Sequence, residues 1–197
     1  NPTVVGYTRH DLDMWSDCVA RLCAAVGVTD DDVAQISFGY GLFTGALGLH
    51  YGLEKLGAAV IPVSSGNTEK QVKLLHDFGP TVLISTPSYA TYMSEVAHDM
   101  GISNDRLKLR IGLFGSEGCT NELRDKIEKG FGLFSTDNYG MSELCGPGVS
   151  GECYLREGLH FAEDHFLPEI IDSKTGEVLE RGETGELVVT TLSKEGI

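Results

Sequence analysis

The feature of this sequence that most restricts its fold is an alternation. Apolar runs of four to six residues are each followed by a stretch with helical spacing, and the pattern repeats from Val33 to Lys129. Val33 to Phe38, Ala58 to Val63, Val82 to Ser85 and Ile111 to Phe114 read as buried strands. The intervening stretches, which end near Leu56, Phe78, Met100 and Lys129, read as helices, and Gly79-Pro80 and Gly101 supply two of the breaks. Strand and helix in strict turn build a layered α/β fold with a mostly parallel sheet and flanking helices.

In such sheets ligands collect at the carboxyl ends of strands. Two strand ends here carry small and polar residues: Gly115-Ser116-Glu117-Gly118, and the turn-forming run Asp137-Asn138-Tyr139-Gly140-Met141-Ser142-Glu143. One amphipathic helix, Asn121 to Lys129, separates them, so the crossover rule places them on neighbouring parallel strands with their tips in one wall. Each residue of that wall has two readings. Tyr139 is a ring for stacking on a flat base or for packing under a loop. Glu143 is an oxygen ligand for Mg²⁺ or a solvated acid. Ser142 is a phosphate contact or a cap.

Upstream, Val4 to Tyr7 reads as a short strand, and Thr8 with Asp11 three positions on reads as a helix start. Leu12, Trp15, Val19 and Leu22 form one face of a helix that runs to about Val26. Asp30-Asp31-Asp32 reads as a solvated turn. Tyr40-Gly41-Leu42-Phe43-Thr44-Gly45 leads into the next helix, with Tyr40 and Phe43 placed either in the core or around a ligand. After Gly146 the texture changes to alternation. Leu155 to Phe161, Leu167 to Asp172 and Glu186 to Thr191 read as strands of a small antiparallel β-rich subdomain, giving an α/β core over residues 1–145 and a β-rich part over 146–197.

Composition narrows the function. With 41% hydrophobic residues the 197-residue chain can bury a core. The formal net charge of -14 disfavours nucleic acid, because phosphate backbones need clustered Lys and Arg. An anionic ligand would have to be met by Mg²⁺, by helix-start N–H groups or by segments outside these residues. No apolar run is long enough for a membrane helix and no leader opens the chain, which reads as cytoplasmic. The five cysteines are odd in number and irregular in spacing, so reduced thiols are expected. No Gly-x-Ser-x-Gly elbow and no Gly-x-Gly-x-x-Gly fingerprint is present.

Taken together, Tyr139-Gly140-Met141-Ser142-Glu143 resembles the Tyr-Gly-x-Thr-Glu signature of adenylate-forming acyl-CoA ligases, with serine keeping the hydroxyl. Gly115-Ser116-Glu117-Gly118 is similar to the adenine-side loop of the phenylacetate-CoA ligase branch. Tyr40 to Gly45, Gly158-Leu159-His160 through Phe166, and Gly185-Glu186-Leu187-Val188 complete five blocks in family order. The resemblance implies ATP, Mg²⁺ and CoA, with an aryl carboxylic acid, phenylacetate foremost, converted to an acyl-adenylate and then a thioester in phenylacetate catabolism. It implies that Ser142 touches the α-phosphate and Glu143 holds Mg²⁺. Ser116, Glu117, Gly118, Asp137, Asn138, Tyr139, Gly140 and Met141 would surround the nucleotide, while Tyr40, Phe43 and Gly115 would enclose the aryl group.

The resemblance also implies that Asn1-Pro2-Thr3 ends a phosphate loop, and that a ribose-binding aspartate and a lid domain with a catalytic lysine lie beyond residue 197, so the chain alone is expected to be inactive. Two alternatives stay open: another ligase of the branch, acting on a different aryl acid or joining AMP to a deazaflavin, and a non-catalytic α/β binding module. A homodimer is compatible with the sequence. The resemblance also raises a zinc site from Cys119, Cys145, Cys153 and His160, although the spacing lacks the paired Cys-x-x-Cys of a zinc ribbon; beside Glu163 and Asp164, His160 reads as a structural histidine, since on a strand it and the acids need not converge.

Overall fold

A computed structural model describes residues 4–41 and 43–196. Asn1 to Thr3 and Leu42, both read above as parts of family motifs, lie outside the described residues. Helix α1 spans Arg9–Ala25 and opens on the expected capping box, in which the Thr8 hydroxyl and the Asp11 carboxylate satisfy each other's backbone N–H groups. It is followed by β1 (Val33–Ile36), α2 (Thr44–Leu56), β2 (Ala59–Pro62), α3 (Thr68–Phe78), β3 (Val82–Ser85) and α4 (Pro87–Asp99). After a short 3₁₀ turn come β4 (Ile111–Gly115), α5 (Asn121–Phe131), β5 (Phe134–Met141), β6 (Gly146–Glu152), β7 (Leu159–Phe161), β8 (Phe166–Ile171) and β9 (Glu186–Thr191).

The first seven strands form one sheet in the order β2-β1-β3-β4-β5-β6-β7, parallel through β5 and antiparallel from β5 to β7. Strands β8 and β9 form a separate antiparallel pair. The change of texture near residue 145 therefore marks a switch from parallel to antiparallel pairing within one sheet, and the second sheet begins at Phe166.

Period-two alternation assigns the two faces. Val82 and Ile84 of β3, with Ile111 and Leu113 of β4, join a core with α1 and α2. Leu83 and Phe114 point the other way, into a core with α3, α4 and α5. A right-handed crossover explains the division: the chain steps outward from β1 to β2 through α2, then reverses and steps through α3, α4 and α5 on the opposite face. The reversal leaves a switch point between β1 and β3, where open sheets leave a crevice.

Three local expectations are corrected. Val4 to Tyr7 forms no strand among the described residues; instead the Tyr7 ring stacks on Trp15, with centroids 5.1 Å apart and planes at 9°. Asp32 is not solvated but buried, receiving Thr81 Oγ1 at 2.6 Å and the Arg110 guanidinium, whose Nε lies 2.9 Å from Oδ1. Asp137 to Met141 is not a turn, because Asn138 pairs with both Gly115 of β4 and Gly151 of β6; the turn comes only at Ser142 to Cys145.

Candidate active site

Beside the switch point a cavity of about 210 Å³ opens at the carboxyl ends of β1, β4 and β5. Phe38, Phe43, Leu49, Leu113 and Pro147 give it an apolar wall, and Thr44, Ser116, Asn138 and Ser142 a polar rim. Drug-sized ligand sites run from about 300 to 1,000 Å³, so this space suits a compact ligand with one flat apolar end.

The parallel pairing of β4 and β5 brings both sequence motifs to this cavity, as their single-helix separation predicts. Gly115 and Ser116 come from the first motif, and Asn138, Gly140, Met141 and Ser142 from the second. Asn138 Nδ2 donates to the Phe114 carbonyl at 3.0 Å, which ties the two tips together. A Cβ at Gly140 would overlap the Gly146 carbonyl, so the β5–β6 hairpin closes tightly just before the turn. The Ser142 and Thr44 hydroxyls lie 3.2 Å apart, linking that turn to the first residue of α2. The α2 N-cap, Phe43, makes no side-chain cap. Thr44 and Gly45 of the first turn of this 13-residue helix line the cavity, and a helix start so placed favours an anion.

Other expected site residues lie elsewhere. Tyr40 does not line the cavity: its hydroxyl bonds His50 Nδ1 at 3.0 Å, its ring packs on the main core, and burial pushes its phenol well above the ordinary range. Tyr139 packs against the same core, with its ring 6.4 Å from Phe161, and does not reach the cavity. Glu117 and Gly118 are exposed in the loop after β4. The Glu117 carboxylate accepts the Ser88 N–H at 2.7 Å, at the start of α4. Its partial burial alone would raise the carboxyl pKa, but bonds from Ser88 and Thr86 outweigh it and hold the group low.

Asp137 is half-buried behind the rim, where desolvation and then the neighbouring Glu152 raise its carboxyl above the usual value despite a bond from the Asn138 backbone. Its N–H donates to Glu152 Oε2 at 2.8 Å. Glu143 stands exposed in the turn. One open carboxylate fits Mg²⁺ that takes most of its oxygens from phosphates and water. It would not suffice for a cation held by protein alone.

The four-ligand zinc reading does not survive. Among the described residues no three His, Cys, Asp or Glu side chains gather as a metal set. Cys153 Sγ and His160 Nε2 meet at 3.3 Å, but Cys145 is buried in the core with α1, and Cys119 Sγ lies 3.9 Å from the Thr120 carbonyl. Cys18 and Cys23 are both buried, since α1 is covered by α2 on one side and β6 on another.

Sequence reasoning missed Phe38, Thr44, Leu49, Leu113 and Pro147 as cavity residues. Thr44 and Leu49 carried a signal, since they follow Phe43 into the same helix. Pro147 carried none, because its place depends on the tight β5–β6 return.

A crevice beside the switch point thus carries the two motif loops on its rim. The chain belongs to the AMP-binding enzyme family, whose model matches residues 9–193. It is 52% identical over all 197 residues to the phenylacetate-coenzyme A ligase of Pseudomonas putida, and 47% identical to that of Escherichia coli strain K12. The chain spans 45% of the length of each of these curated relatives. Among solved structures, an open conformation of 2-hydroxyisobutyryl-CoA ligase in complex with 2-HIB-AMP and CoA superimposes with a TM-score of 0.93. That match has 24% identity and covers 98% of this chain and 46% of that one. A long-chain-fatty-acid-CoA ligase from Archaeoglobus fulgidus matches at 0.80 with 19% identity, covering 95% and 39%. At these identities the two structures bear on the fold alone.

Proposed function

We propose that this chain carries the acid pocket and nucleotide corner of a cytoplasmic phenylacetate-CoA ligase. The carboxylate of a compact aryl acid attacks the α-phosphorus of ATP, forming a mixed anhydride and releasing pyrophosphate. The CoA thiolate then attacks the acyl carbon, forming the thioester and releasing AMP. A bare carboxylate has a poor leaving group, and adenylation supplies a good one. The carrying observation is the continuity of one cavity, which joins the aromatic wall of Phe38 and Phe43 to the Ser116, Asn138 and Ser142 rim.

In this reading the ring lies against Phe43, Leu49 and Leu113, and its carboxylate points toward the α2 start and Thr44. Ser142 contacts the α-phosphate. Glu143 would hold Mg²⁺, which would supply the positive charge that an acidic chain lacks toward the phosphates. Asp137, Asn138, Tyr139, Gly140 and Met141 form the nucleotide side, with Ser116, Glu117 and Gly118 bordering the base. Tyr139 and Glu117 act there through backbone and loop position, since their side chains are engaged elsewhere. The protein's share of the catalysis is positioning and electrostatic stabilisation.

The test uses the protein expressed from its complete reading frame. Pyrophosphate release is measured with ATP, Mg²⁺, CoA and phenylacetate, benzoate, acetate or octanoate in turn. Phenylacetate should give the highest kcat/KM, with a thioester as product. Equal turnover of acetate, or AMP transfer with no thioester, would reject the reading.

A further inference from the structure

The single tryptophan of the chain lies outside every motif that marks the site, yet it touches the cavity wall from behind. Trp15 is 3% exposed, and its Nε1 donates to the Pro147 carbonyl at 2.6 Å. Proline has no N–H, so residue 147 offers the sheet a carbonyl only, and the indole takes it. The ring is held on two further sides. Tyr7 stacks on one face, and α2 approaches so closely at Gly48 that a Cβ there would overlap the indole. A Cβ at Gly146, where φ is 90°, would stand 2.9 Å from Trp15 Cζ2 and 2.8 Å from the Thr44 methyl. The indole thus sits where α1, α2 and the β5–β6 return converge, against the residues that form one side of the cavity.

We propose that Trp15 is a positioning residue that sets the width of the acid pocket by holding the Gly146–Pro147 wall against the start of α2. This rests on the acid-pocket reading above. The hydrogen bond is directional and the ring is clamped, so the wall cannot move outward without losing the bond or displacing Tyr7. Thr44 and Ser142 are bonded across the same gap, and a shift of the wall would carry the turn with it. The acid, which occupies the space between wall and helix, should feel the change more than ATP does.

Two variants test this in the protein from the complete reading frame. Trp15→Phe keeps a stacking ring and removes the N–H donor, and Gly48→Ala pushes the indole from beneath. Trp15→Phe should raise KM for phenylacetate by about fivefold to tenfold, the worth of one partly buried hydrogen bond, and Gly48→Ala should raise it at least as far by displacing the ring. KM for ATP should stay within about twofold. A second readout needs no activity: backbone hydrogen exchange at Ser142 to Gly148 should quicken about tenfold in Trp15→Phe while β8 and β9 stay unchanged. An unchanged KM for the acid with unchanged exchange overturns the proposal. So does a uniform loss, in which both KM values and exchange across the whole sheet change together, because that is a support role only. If the parent protein activates no aryl acid, the proposed function fails, and the exchange experiment still decides whether Trp15 holds the wall.

Discussion

Arg124 of α5 and Glu152 of β6 face each other in a two-point ion pair, with Nη1 to Oε2 at 2.9 Å and Nη2 to Oε1 at 3.0 Å, and both side chains are nearly enclosed. The same Glu152 oxygen accepts the Asp137 N–H, so the pair braces the strand that leads to the cavity rim. Truncating Glu152 would leave a guanidinium desolvated and unpaired, which typically costs about 3 to 5 kcal/mol. Urea unfolding of Glu152→Ala should show a loss of that size. A loss below about 0.5 kcal/mol, the usual range for an exposed site, would mean that the pair bears no strain from burial.

The Asp32 network predicts acid sensitivity. Burial would raise its carboxyl, but Arg110, Thr81 and the Thr29 N–H outweigh it and hold the pKa below the unfolded value. A carboxyl lowered on folding contributes stability that is full above the unfolded value of about 4 and is lost as pH falls through the folded one. The urea midpoint should therefore be flat from pH 7 to 5 as far as this group is concerned, then drop below about pH 4. Asp32→Asn should lower the unfolding free energy at neutral pH by about 2 to 3 kcal/mol and flatten the acid limb of the midpoint. A mutant with the parent's acid slope would assign that slope to other carboxylates, Asp11 among them.

Glu143 is exposed, so its loss should not affect folding. In the protein from the complete reading frame, Glu143→Gln should shift the Mg²⁺ dependence of adenylation to higher concentration and lower the rate about tenfold or more, with a melting temperature within about 2 °C of the parent. An unshifted Mg²⁺ curve would remove the metal role. A large fall in melting temperature would make the residue structural.

Phe43 contacts Phe38 at 5.7 Å between centroids and remains 43% exposed. Enclosing an aryl ring here is worth roughly 2 to 3 kcal/mol of apolar transfer, with about 0.5 to 1.5 more from aromatic edges. Phe43→Ala should cost only part of that, narrowing the kcat/KM preference for phenylacetate over acetate by about tenfold. Kinetics with both acids check this, and an unchanged ratio would move the ring elsewhere in the cavity.

The thiols should divide by burial. Desolvation pushes Cys23 and Cys145 up to about 12 and raises Cys18 as well. Cys119 and Cys153 are only half-buried. Native titration with an aromatic disulfide at pH 8 should modify Cys119 and Cys153 within minutes, and the other three only on unfolding. Rapid reaction of Cys145 would show that the β5–β6 turn opens away from α1.

Where sequence and structure agree, the signal was local. The capping box of Thr8 and Asp11 and the end of α3 at Phe78, before Gly79-Pro80, each depend on neighbours within four positions. So does the placement of two loops on adjacent parallel strands, which needs only one helix between them. Partners distant in sequence defeated the reading elsewhere. Asp32 looked solvated because Thr81 and Arg110 are 49 and 78 positions away. The Asp137 to Met141 run carries turn-forming residues, yet it is a strand because β4 and β6 flank it on both sides. Tyr40 could be read from its neighbours as core or ligand wall, and the resemblance alone put it by the ligand, whereas its hydroxyl bonds His50 and its ring packs on the core.

The overlap that a side chain at Gly140 would make with the Gly146 carbonyl bears on how variation at this hairpin is to be interpreted. A library randomised at Gly140 and screened only for soluble expression should return glycine almost alone, with no substrate in the screen. Invariance at that codon would then record a steric veto of the hairpin. Selection for chemistry would have to be sought at Ser142 and Glu143, two and three codons later, in the turn itself.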